Sequence, residues 1–230
     1  MYNYRENITT NDEIKNILVA DIVLTIAFYI AIEGGIINIS GVIRHIYFLP
    51  IVFVAVSLTF ILHELMHKFV AQHYGAFAAF LYSNNGLIIS LVSGLIGFLM
   101  GVPGATYIFS RLSRKEEGVV SIAGPLTNFA IFIITFIIAS IMPSGSIIGE
   151  AASFIAVISL IIAFFNMLPI YPLDGSKVLR WNSLVYLATM AVLFISMSLV
   201  LGYVATIQYL IFASIIALIF SFGSRSIFTV

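Results

Sequence analysis

The sequence contains no cysteine, so it has neither a disulfide framework nor a thiolate metal site. Any metal it binds must be held by His, Asp, Glu or backbone oxygens. Charge is also scarce. Asp, Glu, Lys and Arg make up 9% of the 230 residues, against about 25% in an ordinary soluble domain. The ten basic and ten acidic residues cancel and no basic run stands out, so the electrostatic footprint of a nucleic-acid partner is missing. What fills the chain instead is apolar: 61% hydrophobic residues and a mean hydropathy of +1.14. These values describe an integral membrane protein whose main surroundings are lipid. The opening "MYNYRENITTNDEIK" lacks a basic n-region and a small-residue cleavage site, and is expected to be a retained polar tail before the first span.

A membrane-spanning helix needs about 20 mostly apolar residues. Six stretches qualify, near 17–37, 46–72, 119–142, 150–168, 182–202 and 204–222. A further apolar run, 86–109, is broken by glycines and Pro103 and is at the short limit for spanning. Lys and Arg favour the cytoplasmic side of a membrane, and they separate the two topologies. If 86–109 does not span, Arg5, Lys15, Lys68, Arg111, Arg114, Lys115, Lys177, Arg180 and Arg225 all fall on one side and Arg44 alone on the other. If it does span, the basic residues scatter over both faces. The expected fold is therefore an all-α polytopic membrane protein of about six spans, a single domain over 1–230 with no appended soluble domain. Both termini are expected to be cytoplasmic and the cell membrane is the expected location. Segment 86–109 then becomes a re-entrant or β-hairpin element, which must be shielded by protein or line a wet cavity. Within it, "GFLMG" (97–101) matches GxxxG, which raises a homo-oligomer as an expectation.

The chemistry is concentrated in the second span. His63-Glu64-Leu65-Met66-His67 is HExxH, and on a helix the two imidazoles share a face and can chelate one metal ion. Glu64 lies beside His63, within reach of a water on that metal, and can take its proton as the water attacks a carbonyl. Ionisable groups in a span are costly, so a bland pairing of His and Glu inside a bundle is the weaker account. A catalytic zinc site has three protein ligands and an open position. His73 has the spacing of a third histidine, but Val70 occupies the position of the turning glycine. Without that turn, six further helical residues rotate His73 by about 240° away from His67. Asp174 is the stronger candidate, because "NMLPIYPLDG" (166–175) carries two prolines that break a regular helix after the fourth span. In the six-span topology that span and the HExxH span run in the same direction, and both motifs arrive at the cytoplasmic half.

HExxH at 63–67, the Asn166, Pro169, Pro172, Asp174-Gly175 pattern, and "SIAGPLTNF" (121–129) between them resemble the site-2 protease family of intramembrane zinc metalloproteases. The resemblance covers residues 60–180. It implies one zinc ion per chain held by His63, His67 and Asp174, with Glu64 as catalytic base. The implied substrate is a membrane protein cut within or near its transmembrane segment. Asn166 would help position the substrate or stabilise the oxyanion, although a polar residue bonding a neighbouring helix accounts for it equally well. Gly124, Pro125 and Asn128 read better as helix-packing residues. A membrane metal transporter or non-catalytic metal-binding scaffold is the alternative, but it needs polar groups along both halves of a path, and few stand toward the outer side. A prenyl-protein-type metalloprotease would need a distal Glu ligand, and Glu150 is expected on the outer side.

Overall fold

The computed structural model describes residues 10–97 and 103–227, so most of the GxxxG stretch at 97–101 lies outside the described residues. The chain divides into two compact units, Met1–Arg111 and Leu112–Val230.

In the first unit, helix α1 (Asn11–Ile32) opens where Thr10 accepts a hydrogen bond from the Glu13 N–H at 3.2 Å. This cap satisfies one of the donors that a helix start leaves unpaired. The helix therefore begins at Asn11, before the expected start of the span near 17, and it buries Glu13 of the supposed tail together with Asn16 just after it. The cause is long-range. Glu13 Oε2 lies 2.6 Å from Lys68 Nζ, with the two side chains only 4% and 1% exposed. Glu13 Oε1 accepts the Phe80 N–H at 2.8 Å. Lys68, counted among the loop cations in the sequence, is thus a buried partner of α1.

After a 3-10 turn (Gly35–Asn38) and the short helix α2 (Ile39–Arg44), a continuous helical run extends from Ile46 to His73. The run has 28 residues and contains an 18-residue stretch of mean hydropathy 2.2, which makes it long and apolar enough to cross a membrane. The run is not uniform. It passes from α3 (Leu49–Val56) through a π segment (Ser57–Ile61) into α4 (Leu62–His73). Leu62 donates its N–H to the Ser57 carbonyl, and the extra residue in that turn rotates everything after it by about 100°. Ser57 itself donates to Asp21 Oδ2 at 2.6 Å, which ties the π segment to α1.

Strands β1 (Ala78–Tyr82) and β2 (Gly104–Ile108) pair antiparallel, from Ala78↔Ile108 to Tyr82↔Gly104. Between them, α5 (Asn84–Leu95) starts at a Ser83 cap. The described residues of segment 86–109 are therefore most of a short helix and a strand of a hairpin, and no helix long enough to span lies among them. Gly94 lets α5 lie on α1: a Cβ there would come within 2.5 Å of the Ala27 carbonyl oxygen.

The second unit is helical: α6 (Arg114–Ile141), α7 (Ile147–Asn166), α8 (Asp174–Trp181), α9 (Ser183–Leu201) and α10 (Tyr203–Ile227). A capping box between Ser113 and Glu116 starts α6. Its core gathers Ile122 and Phe132 of α6, Leu160 and Phe164 of α7, Val178 of α8, and Leu193 and Met197 of α9. Gly124, Pro125 and Asn128 are buried along α6, which packs against α7 and α8.

Among the described residues, five helical runs are long and apolar enough to cross a membrane. Their outward faces carry Ile134, Ile137, Leu187 and Leu199, all exposed. Apolar area on that scale is unsuited to water and suited to lipid. The protein is a mostly α polytopic integral membrane protein with one small two-stranded sheet.

Replacing Glu13 by Ala should destabilise the fold by about 3–5 kcal/mol, because it removes a carboxylate from a buried ammonium. Thermal unfolding in detergent reads this directly. A melting temperature equal to that of the wild type would show that the pair carries no stability.

Candidate metal centre

His63, Glu64 and His67 occupy the first turns of α4, directly after the π segment. One helical turn separates the two histidines, and their rings meet edge to face with centroids 4.7 Å apart. Both are buried, at 3% and 8% exposure. Two closely spaced imidazoles away from lipid are a fitting half of a zinc site. The third predicted residue of the motif, Glu64, is half-buried and faces β2. Its Oε2 accepts the Thr106 N–H at 2.8 Å, and its main-chain carbonyl accepts the Thr106 hydroxyl at 2.7 Å. The sequence reading did not pick out Thr106. The only local signal was the β-branched and aromatic run "ATYIF" after Pro103-Gly104, which reads as a strand.

His73 is the last residue of α4, exposed, with its ring against Tyr74 at 5.6 Å between centroids. Asn166 ends α7, and its Nδ2 donates to the Ile162 carbonyl at 3.1 Å.

Asp174 belongs to the second unit. The chain leaves α7 at Asn166, turns through Pro169 and a cis Tyr171–Pro172 peptide, and re-enters a helix at Asp174. An acidic residue in the first turn of a helix is favoured by the exposed N–H groups there. Asp174 is 8% exposed, and Lys177 Nζ lies 3.8 Å from its Oδ1. The next residue explains how this turn is built. A Cβ on Gly175 would collide with the Met167 carbonyl, so the start of α8 can press against the end of α7 only because residue 175 is glycine. His63, His67 and Asp174 are each buried and each offer one ligand atom. Imidazole nitrogens and carboxylate oxygens are both donors that suit zinc.

The sequence profile of peptidase family M50 matches residues 144–185, the segment that carries Asn166 and Asp174. A protein of Methanocaldococcus jannaschii named as a candidate zinc metalloprotease, MJ0611, is 43% identical over 135 residues, covering 58% of this chain and 71% of the relative. A second protein of that organism, zinc metalloprotease MJ0392, is 25% identical over 134 residues, and the chain spans about a third (34%) of its length. YwhC of Bacillus subtilis, also named as a candidate zinc metalloprotease, is 27% identical over 152 residues, covering 57% of this chain and 68% of the relative. No solved structure matches the chain.

Gly175→Ala should destabilise the protein by about 1–3 kcal/mol through overpacking against backbone and lower its zinc content. Thermal unfolding and elemental analysis check the two effects. Wild-type values for both would mean that α8 can move away from α7 without consequence.

Proposed function

Because the chain belongs to peptidase family M50, the site-2 protease family of zinc metalloproteases, we propose that it hydrolyses peptide bonds within or near transmembrane segments of membrane-protein substrates. The observation that carries this reading is the burial of His63 and His67 in a helical run long enough to cross a membrane. A hydrolytic site embedded in a span meets substrates that are themselves in the membrane.

His63 and His67 supply two ligands and Asp174 the third. When bound, zinc supplies a Lewis acid that polarises the scissile carbonyl and makes water a nucleophile near neutral pH. Glu64 acts as general base: its carboxylate takes the proton of the attacking water and returns it to the leaving amine. Asn166 has two N–H donors, one of them engaged by Ile162; the second serves to hold the substrate carbonyl or the developing oxyanion. A helical peptide bond is protected by its own hydrogen bonds, so the substrate unwinds locally before it is cut, and the β1–β2 hairpin offers backbone for an extended segment to pair with. The distribution of Lys and Arg supports termini and active site on the cytoplasmic side of the cell membrane.

Glu64→Gln should keep its zinc and lose cleavage by about a hundred- to ten-thousandfold. Elemental analysis of the purified protein separates the ligands: zinc should disappear with Asp174→Ala and persist with His73→Ala. Cleavage surviving in the Glu64 variant, or zinc indifferent to Asp174, would overturn the corresponding assignment.

A further inference from the structure

Thr106 faces Glu64 for a reason built into the hairpin. Phe109 donates its N–H to the Phe77 carbonyl at 2.8 Å, and Ser83 donates to the Pro103 carbonyl at 2.9 Å. Bonded and non-bonded rungs alternate along an antiparallel pair, so the Phe80↔Thr106 rung is a non-bonded one. The N–H groups of these two residues point outward, away from the partner strand. Each meets a carboxylate at 2.8 Å: Glu13 at Phe80, and Glu64 at Thr106. Thr106 adds a second bond, from its hydroxyl to the Glu64 main-chain carbonyl at 2.7 Å. A single residue of β2 therefore grips both ends of Glu64.

We propose that Thr106 is the positioning residue for Glu64, fixing its carboxylate relative to the histidines on the same helix. The inference rests on Glu64 being the general base. A glutamate side chain has several rotatable bonds, and a half-buried one samples several rotamers unless held. Misplacement of a reacting group is costly to rate. The N–H of Thr106 engages Oε2, which leaves Oε1 to receive the proton. The hydroxyl stops the helix backbone from sliding along the strand.

Thr106→Val keeps shape and N–H but removes the hydroxyl, whereas Thr106→Ser keeps the hydroxyl. The Val variant should lose about ten- to hundredfold in kcat with KM, zinc content and melting temperature near wild type. The Ser variant should recover most of that loss. Wild-type kcat in the Val variant, no recovery with Ser, or a loss carried by KM or zinc content would overturn the proposal. A second measurement needs no activity. Amide exchange at Thr106 should quicken about tenfold or more in Glu64→Ala and stay slow in Glu64→Gln, which retains an acceptor; equal exchange in both would also overturn it. Full cleavage by Glu64→Gln would instead sink the general-base reading, while the exchange result would still report the contact.

Discussion

A two-stranded hairpin has little stability of its own, and in an apolar setting its outward N–H groups have no water to turn to. This constraint organises the first unit. At the Phe80↔Thr106 rung both outward donors are met by glutamates, one from α1 and one from α4. Each glutamate also does something else. Glu13 neutralises Lys68, and Glu64 belongs to the HExxH motif. The hairpin is therefore strung between two carboxylates, and the need to satisfy a backbone N–H brings β2 to the HExxH end of α4. Had the strands paired one residue out of register, every side chain would have changed face and Thr106 would have turned its N–H into the ladder.

The spans and the HExxH motif were legible in the sequence because both are local signals: hydropathy over a window, and two imidazoles one turn apart. Span positions agree to within a few residues for α7 and α9 and at the end of α6, whereas α6 starts earlier than expected, at Arg114 against 119. The start of α1 was missed, because its cause, Lys68, lies 55 residues further along the chain. Segment 86–109 was recognised as a misfit among spans, since its glycines and proline argue against a continuous helix. Its partner strand β1 was not, because five mostly apolar residues after a turn have no periodicity that separates strand from helix. The π segment left no trace in the sequence at all. Asp174 stood out only because two prolines set it apart, and the reason for the following glycine became visible only with the end of α7 packed against it.

The break between α7 and α8 shows how irregular backbone is accommodated. Leaving a helix exposes its last carbonyls, and the cost is severe unless something meets them. Here Leu168 N–H turns back to the Phe165 carbonyl and Leu173 N–H to the Ile170 carbonyl. Two short turns thus close the gap between the helices. Met167 and Leu168 are buried, so the turn is packed on its apolar side.

Lys68 directly follows His67 in the chain. An ammonium there, in a poorly screened interior, would oppose a divalent cation on the neighbouring imidazole. The Glu13 carboxylate at 2.6 Å offsets that charge and fixes the lysine away from solvent, at 1% exposure. The capped first turn of α1 thus acts beyond its own helix. It anchors β1, it cancels a charge next to His67, and through the Asp21–Ser57 contact the same helix also holds the π segment that precedes HExxH. A chain with so few charged residues uses these as links, Glu13 joining α1 to α4 and β1 and Asp21 joining it to the π segment.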